Sequence, residues 1–173
     1  MSWVVGAGFA TFRLPPPLGT VSLGICMDLN VQRPLKWESV EGPYEIASYC
    51  IVERSNLLIL LNAWLESPED IGEDYAWTTM NFWAHRLAPL WGRQEEVFTD
   101  DHHEMSVVVC NRTGYENGES DVSNLRRGTR VVQYPGKKFC GSSCSFLMNN
   151  SSGKPRLKYA MGKDEEGVDV WTV

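Results

Sequence analysis

The sequence predicts an α/β fold: a sheet covered by helices, forming one half of a larger layered sandwich. Three observations carry this. Leu57 to Leu61 is apolar at every position, as parallel strands buried on both faces tend to be. Tyr44 to Ser55 and Thr78 to Trp91 set apolar residues at helical spacing. The resulting order, strand–helix–strand–helix–strand and then mainly strands, belongs to a layered α/β arrangement.

Taken in order, Val4 to Leu14 carries two glycines and reads as a strand or hairpin arm. Pro15-Pro16-Pro17 imposes an extended link. Thr20 to Ile25 predicts a central strand, and residues 30–43 a loop with a proline near either end. Pro43 suits a helix start, and Ile46, Ala47, Tyr49, Cys50 and Ile51 give the following helix one apolar face. Ser67 to Asp70 opens a turn after the second strand. The helix from Thr78 to Trp91 is anchored by Phe82, Leu87 and Trp91 and ended by Gly92. Met105 to Cys110 predicts a third strand, Asn111 to Gly118 a turn-rich segment, and Ser120 to Lys138 a long surface loop. Cys140 to Met148 reads as a fourth strand, which would put the thiols of Cys140 and Cys144 on one face. Asn149 to Lys154 is a turn, Leu157 to Met161 a short strand, and Gly167 to Val173 a closing strand.

The 173 residues, 43% hydrophobic and 22% charged, suffice for a single domain, residues 1–173, with a core of its own. A net charge of −6 argues against a nucleic-acid partner, which calls for a basic face. No apolar run reaches the roughly 18 residues that span a bilayer, so no membrane partner is expected. Met1 to Ala10 lacks the pattern of a secretory signal. Five widely spaced cysteines then read as free thiols in a cytoplasmic or nuclear chain.

The chemistry centres on Leu23-Gly-Ile-Cys26-Met27-Asp28. A cysteine at the exit of a buried strand lies on the rim of a sheet, where a substrate reaches it. The Met27 N–H enters the same turn and suits an oxyanion. A buried structural cysteine is the competing reading. Asp28 reads first as a carboxylate that pins the loop, with a catalytic role as the alternative. Trp64, after the second strand, and Gly114 with Glu116, after the third, are placed to bound a pocket. Asp100-Asp-His-His-Glu104 reads as a solvated loop, and Cys140 with Cys144 lacks the second pair a zinc site needs. No metal and no cofactor is expected. Residues 1–25 contain no Asp, Glu, His or Lys, so a base for Cys26 must come from elsewhere.

Five segments in order resemble the carbon–nitrogen hydrolase (nitrilase) superfamily. Gly24-Ile-Cys-Met-Asp28 is similar to its Gly-x-Cys-x-Asp nucleophile turn, and Leu58 to Trp64 to the strand-to-pocket segment that follows. Asn111-Arg-Thr-Gly114 with Glu116 resembles its Asn-Arg-x-Gly-x-Glu stretch, and Phe139 to Ser143 its Gly-x-Ser strand. Met161 to Val168 resembles the closing strand. Gly-Ile-Cys-Met-Asp-Leu-Asn and Asn-Ala-Trp-Leu are most similar to the protein N-terminal asparagine/glutamine amidohydrolase branch.

That resemblance implies the C-terminal half of an α-β-β-α sandwich. It also implies hydrolysis of the side-chain amide of N-terminal Asn or Gln to Asp or Glu plus ammonia, as a step of N-degron protein turnover. Cys26 would be the nucleophile of a thioester mechanism, with the Met27 N–H at the oxyanion and Asp28, Trp64 and Glu116 near the substrate. The partners would be protein or peptide N-termini bearing Asn or Gln. The superfamily's catalytic glutamate and lysine both precede its cysteine by more than the 25 residues found here. The chain is therefore expected to be N-terminally incomplete, inactive alone, and to leave one sheet face uncovered. A small-molecule amidase or nitrilase of the same superfamily, and a non-catalytic binding module, are the alternatives.

Overall fold

The computed structural model describes residues 8–31, 40–92, 104–116, 136–150 and 152–171. Eight strands and two helices follow in chain order. They are β1 (Ala10–Arg13), β2 (Thr20–Ile25), α1 (Glu45–Val52), β3 (Leu57–Asn62), α2 (Trp77–Arg86), β4 (Glu104–Asn111), β5 (Thr113–Glu116), β6 (Lys137–Cys140), β7 (Cys144–Asn149) and β8 (Arg156–Ala160). Six strands form the main sheet in the order β1-β2-β3-β4-β7-β8, and β5 pairs with β6 in a separate ribbon. The centre is parallel, β2 with β3 and β3 with β4, and the flanking pairs are antiparallel. Parallel neighbours need a crossover, and α1 provides the one between β2 and β3.

The parallel register aligns Gly24 with Leu60 and Ile25 with Leu61, then Leu60 with Val109 and Asn62 with Asn111. Side chains alternate across a strand, so Leu58, Leu60, Val107 and Val109 share one face, and all four are fully buried. Helices α1 and α2 cover that face with Ile46, Ala47 and Cys50 and with Met80, Trp83 and Ala84. Gly24 belongs there because a Cβ would run into Ile46 Cδ1 and lie 2.8 Å from Leu60 Cδ2. On the opposite face, Leu23, Ile59 and Val108 are half-buried, while Ile25 is 65% and Leu61 50% exposed. Parallel sheets are ordinarily covered on both sides. Among the described residues this one is covered by helices on one side only.

Several expectations need correction. The helix expected from Thr78 to Trp91 ends at Arg86, and a separate 3-10 turn spans Ala88–Leu90. Pro89 cannot donate to a continuing ladder. The helix expected over Tyr44 to Ser55 stops at Val52. The segment expected to be turn-rich after Asn111 is strand β5, held by β6. Lys137 and Lys138, expected in a surface loop, belong to β6. The single strand expected over Cys140 to Met148 is two, broken where Gly141 and Ser142 take φ of 53° and 52°. Cys140 and Cys144 are thus both buried, but in different sheets. No closing strand is found among the described residues 161–171; Val168 and Val170 there are exposed. The expectations for residues 100–103 and 120–135 fall outside the described residues.

Candidate active site

β2 runs straight into a 3-10 turn, Cys26–Leu29. Cys26 opens it at φ 39°, a left-handed conformation that a non-glycine side chain adopts at a cost of about 1–3 kcal/mol. Such strain persists where the surroundings over-determine it, which is common at nucleophile elbows. The thiol is half-buried. The Met27 N–H belongs to the first N–H groups of a helical turn, which lack an internal acceptor. Asp28 folds back on the strand, its Oδ2 accepting the Ile25 N–H at 2.8 Å. That bond holds the elbow shut from within.

The far end of the turn is tied down by a buried cation. Arg86, 1% exposed on α2, donates from Nε to the Leu29 carbonyl at 2.7 Å. Its Nη1 reaches the Glu41 carbonyl at 2.8 Å and its Nη2 the Pro43 carbonyl at 2.7 Å. The guanidinium also lies over the Tyr44 ring, 5.1 Å from its centroid, and 3.6 Å from Glu45 Oε2. Burial weakens its hold on the proton, and Glu45 works in the opposite sense. The planar fork of arginine reaches three carbonyls at once, which a lysine ammonium cannot match.

Trp64 stands just past β3. Its N–H donates to Asn111 Oδ1 at 2.8 Å, and its ring packs against Phe82 (5.5 Å) and edge-on to Trp83 (6.3 Å). Asn111, at the end of β4, also donates from Nδ2 to the Gly141 carbonyl at 2.7 Å. It thereby joins the ends of β3 and β4 to the turn after β6. The turn with Cys26, the start of the Trp64 segment and Asn111 all lie at the carboxyl ends of the parallel strands, where open α/β sheets bind ligands. Glu116 is placed differently. It ends β5, is half exposed, and pairs with Arg112 at 3.4 Å, while Arg112 covers the Phe139 ring at 4.2 Å.

Sequence reasoning missed three supports. Arg86 is one. A second is Asp70, which is buried and accepts the Thr78 N–H at 2.8 Å and the Thr79 hydroxyl at 2.8 Å, fixing the start of α2. The third is Lys163, 3% exposed, which donates to Glu66 Oε1 at 2.6 Å and to the Asp70 carbonyl. A cation in the apolar stripe of the expected second helix was the visible sign of Arg86. Lys163 and Asp70 sit in turn-like sequence and gave no such sign. Among the described residues no group of His, Cys, Asp and Glu is arranged to hold a metal ion. None of the helices there is long and apolar enough to cross a membrane.

No protein-family model matches the chain. A carbon-nitrogen hydrolase from Helicobacter pylori G27 aligns with 87% of this chain and 39% of its own, at TM-score 0.45 and 17% identity. The crystal structure of an N-terminal amidase, a cysteine-to-serine variant, aligns with 91% of this chain and 64% of its own, at TM-score 0.56 and 14% identity. The chain shares the fold of that N-terminal amidase structure over most of its length. In sequence, the protein N-terminal amidase of Schizosaccharomyces pombe (strain 972 / ATCC 24843) is 27% identical over 183 residues, spanning 98% of this chain and 53% of that protein. The chain thus covers about half the length of the curated relative it matches.

Proposed function

We propose that this chain is the nucleophile-bearing part, and a single domain, of a protein N-terminal amidase. Such an enzyme hydrolyses the side-chain amide of an N-terminal Asn or Gln. The observation that carries the proposal is Cys26 in a left-handed elbow at the carboxyl end of a central parallel strand. The similarity to a protein N-terminal amidase over 98% of the chain supports the choice of substrate.

In this reading Cys26 Sγ attacks the amide carbon, and the carbonyl oxygen becomes an oxyanion facing the Met27 N–H. The C–N bond breaks, ammonia leaves with a proton from a general acid, and a thioester remains. Water adds to the thioester, the C–S bond breaks, and the product carboxylate departs as the thiol regains its proton. Trp64 walls the pocket and Asp28 keeps the elbow closed. The reaction also calls for a general base and a further donor at the oxyanion; loss of such groups costs on the order of 10²–10⁴ in rate each.

The test is ammonia release from an Asn-initiated peptide by the protein at its full natural length, followed by mass spectrometry of the acid-quenched enzyme. The expected result is ammonia, an acyl adduct on Cys26, and loss of both in Cys26→Ala. Release from free small amides with none from the peptide would replace the substrate assignment. Turnover that survives Cys26→Ala would remove the mechanism.

A further inference from the structure

Asn62 ends β3 and is 7% exposed, yet neither Oδ1 nor Nδ2 has a hydrogen-bond partner among the described residues. Buried polar groups are nearly always paired, so a doubly orphaned carboxamide requires an explanation. Its position supplies one. The β2–β3 ladder ends at Ile25 paired with Leu61, so Cys26 and Asn62 are each the next residue at the carboxyl ends of these neighbouring strands. The Cys26 turn also packs against β3. Asn62 lies on the same sheet face as Gly24, Leu60 and Asn111. The Trp83 Nε1 is itself buried without an acceptor.

We infer that Asn62 is the residue that selects a primary carboxamide for Cys26 and rejects the corresponding carboxylate. A carboxamide offers one donor and one acceptor side by side, and the two free edges of Asn62 match them. Oδ1 accepts an N–H of the substrate amide while Nδ2 donates to its carbonyl oxygen. A carboxylate in the same place has no hydrogen for Oδ1, so an acceptor faces an acceptor in a buried site. A site built around buried polar groups discriminates strongly because the wrong ligand leaves them unpaired. The product acid of the proposed reaction is then weakly held. The inference rests on the amide-hydrolase reading of Cys26 and adds the group that reads the amide.

The experiment uses the full-length protein. Ammonia release from an Asn-initiated tetrapeptide tests the hydrolase reading first. Binding is then titrated in the Cys26→Ala protein, with and without Asn62→Leu, using that tetrapeptide and its Asp-initiated analogue. With Asn62 present the amide peptide binds at least tenfold more tightly; with Asn62→Leu the preference falls below twofold. The thermal midpoint of Asn62→Leu stays level or rises, because no internal hydrogen bond is lost. Asn62→Ala gives the same collapse of preference should leucine overfill the site. A preference that survives both substitutions, or one absent with Asn62 in place, overturns the inference and leaves an active hydrolase standing. So does a midpoint several degrees lower in Asn62→Leu, which would mark Asn62 as bonded within the fold. A protein that neither turns over nor binds the amide peptide overturns both readings.

Discussion

At the residue scale, Cys26 combines the proposed nucleophile with a strained backbone, and the two separate by substitution. Cys26→Ala keeps the left-handed conformation and its cost. Cys26→Gly relieves it and is expected to be the more stable of the two by about 1 kcal/mol. Chemical denaturation of both variants checks this. The other thiols divide by burial. Cys50, Cys140 and Cys144 are buried, and burial pushes Cys50 up to about 11 and Cys140 up to about 12. Their neutral forms therefore contribute stability that is complete below the unfolded thiol value of about 8.5 and is lost as pH climbs toward 11 and 12. The thermal midpoint should fall across that alkaline window. Iodoacetamide on native protein near pH 8 should label Cys26 and Cys110, and reach the other three only after unfolding. Gly24 sets a further limit. Gly24→Ala pushes a methyl between Ile46 and Leu60 and should cost about 1–3 kcal/mol by denaturant titration.

At the scale of elements, the strands were legible where chemistry and periodicity agreed. Thr20 to Ile25 matched its strand to the residue, and Leu57 to Leu61 fell one short because Asn62 is polar but still in the ladder. The elbow at Cys26 was legible because an apolar run stops at a cysteine. What stayed hidden was long-range pairing. Thr113–Glu116 looks like a turn, and only Lys137–Cys140, more than twenty residues away, makes it a strand. The break at Gly141-Ser142 was hidden inside apolar flanks, although Gly141 has no alternative there: a Cβ would collide with the Lys163 carbonyl. Arg86 belongs to the same class, since its three acceptors come from segments 43 to 57 residues distant. Arg86→Met leaves three carbonyls unanswered and should cost about 3 kcal/mol or more by denaturant titration. Arg86→Lys should recover only part of that loss.

At the scale of the whole molecule, helices cover one face of the sheet, and among the described residues Ile25 and Leu61 leave apolar side chains exposed on the other. Such patches favour association. The isolated 173-residue chain should therefore bind a hydrophobic dye and sediment as oligomers. Ile25→Thr with Leu61→Thr should reduce both signals and leave the helical circular dichroism unchanged, since α1 and α2 pack on the opposite face. The apolar strand Leu57 to Leu61 by itself read as covered on both faces; the uncovered face was expected only from the family resemblance.

The guanidinium that joins Leu29 to the segment before α1 has one more effect, on how the protein loses its function. The elbow's outgoing carbonyl is answered from α2. Opening of that helix therefore frees the far end of the turn. Heat inactivation should follow the opening of α2 rather than the slower failure of the sheet. A small molecule that steadied the helix from outside would protect the thiol's geometry without ever entering the pocket.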